Sequence, residues 1–169
     1  MMHLDAAAFR SVMGAFPTGI VIVTTLDATG AAKGLTTQSF ISVSTDPPLL
    51  LVSLAKSSRT LRALLSTGAF VVNFLAADRG DLATRFASKD SDKFAGVAWR
   101  PAASAKGAPI LADDSVAYAE CVLSREIDAG EHTLLLASVE DGAVLSGAPL
   151  MYYRRTYAAW PEERDAPAL

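Results

Sequence analysis

The sequence predicts a mainly β protein, built as a small antiparallel barrel with a few short helices. Most of the chain falls into short runs rich in β-branched and aromatic residues, which are typical of strands. Residues that favour turns separate these runs. The helical segments do not alternate regularly with the strands, as a parallel sheet built from strand–helix–strand units would require. These three observations favour the barrel over a parallel α/β sheet.

The composition is that of one domain covering residues 1–169, with a helix and lead-in over 1–18 and a polar, frayed tail over 158–169. The net charge of −3, with no run of Lys or Arg, argues against a nucleic-acid partner. No apolar segment reaches the ~18–20 residues of a membrane span, so no membrane partner is expected. The hydrophobic fraction of 51% instead favours an oligomer that buries apolar surface against a second copy of itself.

The first half of the chain is expected to begin with a short helix that Asp5 caps and that ends before Pro17. Its apolar residues form one stripe: Phe9, Val12, Met13 and Phe16. Strands are expected at residues 19–26, 35–44, 49–55 and 69–76. A helix capped by Ser57 or Ser58 and closed by Gly68 lies between the last two of these strands.

The second half is expected to contain a polar helix from about Asp81 to Ser88, a short turn near 91–94, and then almost only strand. The strands are expected at residues 116–127, 132–140 and 143–155. Asp141-Gly142 predicts a tight hairpin between the last two. Cys121, the only cysteine, is interpreted as a buried structural thiol rather than a nucleophile, and a single cysteine suits the reducing cytoplasm.

The common catalytic signatures are missing from the sequence. It contains no GxxxxGK[ST] loop, no GxGxxG after a strand, no HExxH helix and no GxSxG elbow. With only His3 and His132, a histidine-rich metal site is excluded, and no metal is expected. The chemistry is therefore expected to come from a bound cofactor.

The stretch "GLTTQSFISVSTDPPLLLVSL" is unusually rich in hydroxyl groups. Six of the ten residues from Thr36 to Thr45 are Ser or Thr. Such side chains offer uncharged donors and acceptors, which suit a flat heteroaromatic ring edged with carbonyls and nitrogens. A strand that simply faces solvent would have the same composition, and periodicity alone does not separate the two interpretations.

The next segment, "KSSRTL", places Ser57, Ser58, Arg59 and Thr60 at the start of a helix directly after a strand. Helix N-termini bind phosphate readily, and an arginine adds a bidentate donor. Plain capping by one of the serines would explain the pattern equally well. Together, the hydroxyl-rich stretch and this helix start predict a ring platform and a phosphate site, bridged by a nucleotide-like cofactor.

Several segments occur in an order and spacing that are specific in combination. They are "FPTGIVIVTT", "GLTTQSFISVSTDPPLLLVSL", "SSRTLRALL", "FVVNFLA", "TRFAS...DKF", "GAPIL" and "GEHTLLLASVEDG". With them the chain resembles the flavin reductase-like family, the NAD(P)H:flavin oxidoreductases that supply reduced flavin to two-component monooxygenases such as 4-hydroxyphenylacetate 3-monooxygenase. The resemblance implies a split β-barrel with Greek-key connections, a homodimer, FMN or FAD as cofactor, NADH or NADPH as electron donor, and a partner monooxygenase.

The resemblance also implies which residues form the site. Around the flavin ring it implies Thr18, Thr36, Thr37, Gln38 and Ser39; along the ribityl-phosphate path Ser53, Leu54, Ser57, Ser58, Arg59 and Thr60; in the following strand Asn73; and along the outer cofactor or a second nucleotide Arg85, Phe86 and Lys93. For Phe86, simple core packing stays open, and for Lys93 a solvated charge. His132, in Gly130-Glu131-His132, matches the histidine of the family's Gly-Asp-His segment and is the expected catalytic residue.

Two other functions fit the same residues. One is a barrel that binds FMN for storage or sensing and lacks a productive nicotinamide site, and His132 is the only feature against it. The other is a cofactor-free interaction module, for which the adjacent hydroxyl-rich stretch and "SSRT" segment would be coincidence. The residues distinguish neither FMN from FAD nor NADH from NADPH.

Overall fold

The computed structural model describes residues 3–160 and confirms a mainly β fold with few helices. The helices are Ala6–Met13 (α1), Arg59–Thr67 (α2) and Gly80–Ala87 (α3), with a 3₁₀ turn at Ala112–Asp114. The strands are Thr18–Gly19 (β1), Val21–Leu26 (β2), Ala32–Thr37 (β3), Phe40–Thr45 (β4), Pro48–Ala55 (β5), Ala69–Leu75 (β6), Arg100–Pro101 (β7), Pro109–Ile110 (β8), Ser115–Ala129 (β9), His132–Val144 (β10), Leu150–Tyr153 (β11) and Thr156–Ala159 (β12).

Seven strands form one antiparallel sheet in the order β3-β2-β6-β9-β10-β5-β4. The two edge strands, β3 and β4, follow each other in the chain and are joined only by Gln38 and Ser39. Two residues span only about 10 Å, so the opposite edges of the sheet must come together at this corner. The sheet therefore curls into the predicted split barrel, and a seam runs between its edges.

Apolar clusters cover both faces of the curled sheet. Inside the barrel, Val23, Leu54 and Phe70 are fully buried and pack with Leu64 of α2. Outside it, the fully buried Phe86 of α3 packs with a second cluster that includes Ile22, Leu75 and Leu111. Because β2 contributes to both clusters, this strand is buried on both faces, and α3 is held against the outside of the sheet beside β3.

The helix predictions are confirmed with small shifts in their bounds. The Asp5 carboxylate caps α1 by accepting from the backbone N–H of Ala7 and Ala8 at 2.9 and 2.8 Å. Ser58, rather than Ser57, caps α2. Gly68 closes that helix in the left-handed region with φ of 68°, a conformation that favours glycine. The Cys121 thiol is buried as predicted, and burial raises its pKa to about 12.

Two of the predicted strands prove to be broken. The strand expected over residues 35–44 ends at Thr37 and resumes at Phe40, because the corner between the sheet edges lies between them. The strand expected over 19–26 is interrupted at Ile20, because Thr18 and Gly19 pair with β11 in a separate three-stranded sheet. In both cases the break follows from the arrangement of the sheets, which a local run of strand-forming residues does not show.

The hairpin predicted at Asp141-Gly142 is wrong. These residues lie inside β10, which continues to Val144 beside β9, and the pairing shifts register between Val139 and Asp141. Glycine is needed at 142 for close approach rather than for a turn, since a Cβ there would lie 2.6 Å from the carbonyl oxygen of Tyr118. The strand predicted over 143–155 is correspondingly divided, and β11 begins only at Leu150.

Most of the frayed tail expected over 158–169 lies outside the described residues, and its first two residues belong to β12. None of the helices within residues 3–160 combines the length and the apolar character that crossing a membrane would take.

Candidate active site

A cleft of about 690 Å³ opens at the seam of the barrel. It is bounded by β3, the end of β5, the start of α2, the segment after α3 and the first residue of β10. Its volume falls in the range of about 300–1,000 Å³ that is typical of small-molecule sites. Of the predicted site residues it is lined by Thr36, Thr37, Ser53, Leu54, Ser57, Ser58, Arg59, Thr60, Phe86, Lys93 and His132.

The strand ends on one side of the cleft supply free polar groups. His132 lies opposite Ala55 in the pairing of β10 with β5. Ser53 precedes Ala55 by two residues in β5, so its side chain lies on the same outward face as those of Ala55 and His132. Leu54, between Ser53 and Ala55, points to the opposite face and is buried in the barrel core. Within residues 3–160, neither the Ser53 hydroxyl nor the half-buried His132 imidazole forms a hydrogen bond. Both groups are therefore free to bind a ligand in the cleft.

The start of α2 forms a second side of the cleft. The Ser58 hydroxyl accepts from the backbone N–H groups of Thr60 and Leu61 at 3.1 and 3.3 Å, so its capacity as an acceptor is used by the helix itself. The exposed Ser57 hydroxyl has no such partner among the described residues. Arg59 reaches across the cleft, and its Nη2 donates to the carbonyl oxygens of Lys89 and Asp90, both at 2.7 Å.

Lys93 is a further cation that lines the cleft. Its Nζ donates to the carbonyl oxygens of Phe86 at 2.6 Å and Gly34 at 3.2 Å. Burial lowers the pKa of Lys93, and the nearby charge of Arg59 lowers it further, against a smaller opposite effect of Asp90. Since Arg59 and Lys93 are hydrogen-bonded to neutral carbonyls rather than to carboxylates, their charges are not cancelled by a paired acid. This end of the cleft therefore favours an anionic ligand.

The wall between β3 and α3 is closely packed. The Phe86 ring is fully buried and meets Phe94 edge to face, with centroids 5.0 Å apart. A Cβ at Gly34 would lie 2.7 Å from the Phe86 ring, so β3 approaches α3 this closely only because residue 34 is glycine. The Thr36 hydroxyl donates to the Ala83 carbonyl at 2.7 Å and thereby ties the same two elements together. Phe86 and Thr36 thus shape the cleft through their structural contacts.

Five predicted site residues do not line this cleft: Thr18, Gln38, Ser39, Asn73 and Arg85. Thr18 and Gln38 are bonded to each other at 3.2 Å near the barrel corner. Asn73 is fully buried, and its amide is bonded to Ile22, Thr24 and Leu111. Arg85 borders a separate hollow and donates to the Ala95 carbonyl at 2.9 Å. None of the five offers its polar group to the cleft in this structure.

Other cleft residues were missed by the sequence reasoning. They are Ala32, Lys33, Gly34, Leu35, Ala55, Ala87, Ser88, Lys89, Asp90, Ser91 and Phe94. Gly34 carried a signal, because an isolated glycine in a strand often marks a close backbone approach. The segment after α3 carried none, since its middle is held by Arg59, which is about thirty residues away in the sequence.

The donor set fits a flat heteroaromatic ring that carries a phosphate. Free hydroxyls, an imidazole and the cations Arg59 and Lys93, which are not paired with a carboxylate, all line the same cleft. Among residues 3–160, no group of three or more His, Cys, Asp and Glu side chains is arranged to hold a metal ion.

Comparisons with known proteins agree with this donor set. Residues 13–161 match the model of the flavin reductase like domain. The flavin reductase (NADH) of Kitasatospora aureofaciens is 45% identical, over 96% of this chain and 85% of the relative. The reductase subunit of a flavin-dependent monooxygenase from Mycobacterium tuberculosis is 38% identical, over 98% of this chain and 88% of the relative.

Solved structures share the fold over nearly the whole chain. The nitrilotriacetate monooxygenase component B homologue from Mycobacterium thermoresistibile has a TM-score of 0.90 at 36% identity, covering 98% of this chain and 92% of that one. The NADH:FAD oxidoreductase of Streptomyces globisporus was solved with NAD and FAD fragments. It has a TM-score of 0.88 at 30% identity, covering 97% of this chain and 100% of that one. The chain therefore belongs to the flavin reductase-like domain family.

Proposed function

We propose that this protein is an NAD(P)H-dependent flavin reductase, which transfers hydride from a nicotinamide nucleotide to FMN or FAD and supplies reduced flavin to a partner monooxygenase. The observation that carries the proposal is the seam cleft, in which free polar groups and the cations Arg59 and Lys93 face one space in a chain of the flavin reductase-like family. The relatives named as a flavin reductase and as a monooxygenase reductase subunit support the same activity.

The residues of the cleft are suited to binding and orientation rather than to acid–base chemistry. Flavin, when bound, supplies the ring that accepts the hydride. Arg59 and Lys93 attract the phosphate end of the ligand, while Ser53 and Ser57 offer hydroxyls along its length. The buried Phe86 and Leu54 provide rigid apolar walls that exclude water. We propose the predicted residues that line the cleft as the cofactor-binding set.

His132 is proposed as the residue that orients the nicotinamide or hydrogen-bonds near the centre of the flavin. Its half-buried imidazole opens β10 at the cleft and has no hydrogen-bond partner within residues 3–160. A free imidazole at this position can donate or accept without breaking an internal contact. Placing two reactants in the right geometry supplies a large part of the rate of a two-substrate reaction, so orientation alone is a sufficient role.

We infer NADH and FAD as the first pair of substrates to test. The relative from Kitasatospora aureofaciens is named for NADH, and the structure from Streptomyces globisporus was solved with NAD and FAD fragments. The cytoplasm is the proposed location, and the single cysteine of the chain, which is free and buried, supports it.

We also propose a homodimer, because α1 and the turn that follows it leave an apolar stripe in solvent. Phe9, Val12, Met13 and Phe16 are between 52% and 68% exposed, and α1 has no buried residue. Patches of this kind usually mark interaction sites. Sedimentation should give the dimer mass for the native chain and a weaker association for Val12→Ser. A monomer at all concentrations would contradict the dimer.

The test of the proposed function is a steady-state survey of NADH and NADPH against FMN, FAD and riboflavin, followed at 340 nm. We expect nicotinamide oxidation that depends on added flavin. Tight flavin binding without oxidation would instead favour a storage or sensing protein. If the protein neither binds flavin nor oxidises either nucleotide, an interaction module becomes the better interpretation.

A further inference from the structure

The segment Ser88–Lys93, here called the strap, follows α3 and runs along the cleft. Most of its residues line the cleft, and all but Lys93 are exposed. It contains no strand or helix. Its internal hydrogen bonds are local: the backbone N–H of Asp90 donates to the Ser88 hydroxyl, and that of Asp92 to the Asp90 carboxylate. These contacts shape the strap but do not hold it against the barrel.

Two cations fasten the strap to the barrel. Arg59 at the start of α2 donates from one nitrogen to the carbonyl oxygens of Lys89 and Asp90, both at 2.7 Å. Lys93 donates to the Gly34 carbonyl of β3 and to the Phe86 carbonyl of α3. Lys93 thus holds one end of the strap, and Arg59 holds its middle over the cleft.

The two fastenings differ in how easily a ligand can displace them. Lys93 is partly buried, whereas Arg59 is exposed. The acceptors of Arg59 are neutral carbonyls. A phosphate oxygen is a stronger acceptor than a carbonyl oxygen, because it carries negative charge and the phosphate can accept two parallel hydrogen bonds from the guanidinium. A phosphate that enters the cleft therefore competes for the guanidinium on favourable terms.

We propose that Arg59 is a switchable positioning residue, which holds the strap across the cleft when no phosphate is bound and releases it to bind the phosphate of a ligand. The identity of that ligand as a flavin or nicotinamide nucleotide rests on the proposed function. Phosphate binding and release of the strap are thus coupled, and such coupling is reciprocal. Loosening the strap therefore also makes the guanidinium more available to a phosphate. Ligands without a phosphate, such as riboflavin, leave the strap in place.

The test is hydrogen exchange of the strap amides, measured by mass spectrometry with and without inorganic pyrophosphate. In the native chain we expect saturating pyrophosphate to speed exchange in the strap several-fold. In Arg59→Gln the strap should exchange rapidly without pyrophosphate and show no further response. Arg59→Lys keeps the charge but loses the planar fork of the guanidinium. Its strap amides should exchange at a rate between those of the native chain and of Arg59→Gln.

The matched control is Arg62→Gln, which removes the same charge from an exposed position on the same helix and outside the cleft. It should behave like the native chain. An equal effect of Arg62→Gln and Arg59→Gln would overturn the proposal, as would calorimetric binding of pyrophosphate without faster exchange, or no binding at all. Since no flavin or nicotinamide is present, the result is independent of the reductase assay, and each proposal can fail while the other stands.

Discussion

The buried core on the outer face of the sheet and the seam cleft use polar side chains in opposite ways. In the core, Asn73 is fully buried, donates to the Ile22 carbonyl at 3.1 Å and to the Thr24 hydroxyl at 3.0 Å, and accepts from the Leu111 N–H at 2.8 Å. In the cleft, His132 has no partner of this kind among the described residues. The difference shows which polar groups maintain the fold and which remain available to a ligand.

The comparison also separates residues that the sequence grouped together. Thr36 and Ser57 both belong to the predicted cofactor site and both line the cleft. Yet the Thr36 hydroxyl is bonded to the Ala83 carbonyl, whereas the Ser57 hydroxyl is free within residues 3–160. Substitutions in the bonded group should act first on stability, and substitutions in the free group should act first on binding.

The largest effect on stability is expected for Asn73→Ala. It leaves the Leu111 N–H and the Ile22 carbonyl without their side-chain partner in a buried place, and each unsatisfied group costs about 1–3 kcal/mol. We expect the free energy of unfolding to fall by about 2–4 kcal/mol, measured by urea denaturation. The matched variant in the cleft, Ser57→Ala, should change it by less than about 0.5 kcal/mol. Equal losses for the two variants would remove the distinction between core and cleft.

The next effect concerns the rate of flavin reduction. His132→Ala removes the free imidazole while the backbone pairing of β10 with β5 stays in place. We expect reduction, followed by stopped-flow absorbance, to slow on the order of a hundredfold through lost orientation, while flavin affinity changes little. The control is His3→Ala, which removes the other histidine at an exposed position far from the cleft in the chain. If His132→Ala reduces flavin at the native rate, His132 does not have this role.

The packing of the cleft wall is tested by Gly34→Ala. The added methyl would lie 2.7 Å from the buried Phe86 ring and must displace it. Overpacking of this kind costs about 1–3 kcal/mol, so both the unfolding free energy and flavin affinity should fall. Gly19→Ala is the control, since a Cβ there meets nothing within 4 Å. A fully stable Gly34→Ala with native affinity would show that this wall is not rigid.

The smallest effect is a pH dependence. Burial and the neighbouring Arg59 lower the pKa of Lys93, so this lysine loses its proton at a lower pH than an exposed lysine does. Its charge attracts an anion only below that lowered pKa. Pyrophosphate affinity should therefore begin to fall, as pH rises, below the ordinary lysine pKa of about 10.4. Lys93→Arg, whose guanidinium does not titrate in this range, should not show this fall in pyrophosphate affinity. Identical pH profiles for the two proteins would mean that Lys93 does not contact the anion.

Local patterns in the sequence predicted the elements well. Caps and periodic apolar residues gave the three helices and most strands, because those signals act between near neighbours. The hairpin at Asp141-Gly142 failed because the long pairing of β10 with β9 outweighed a local turn preference. Similarly, nothing local indicated that Gln38 and Ser39 would form the corner between the two edges of the sheet.

The site was predictable in part. Its strand and helix-start residues follow from segments that lie next to each other in the sequence, and the structure brings Ser53, Ser57 and Arg59 to one cleft. The position of Asn73 was not predictable, because β6 is buried on both faces and alternation does not show which side a residue takes. Apart from Lys93, the strap was missed because Arg59 holds it through backbone carbonyls thirty residues away, and any residue type provides those.

The most direct test of the cleft as a flavin site is a fluorescence titration of the purified protein with FMN, FAD and riboflavin. Saturable quenching with all three is expected, and Arg59→Gln should weaken FMN and FAD far more than riboflavin. Absence of quenching and of calorimetric heat with every flavin would contradict the account.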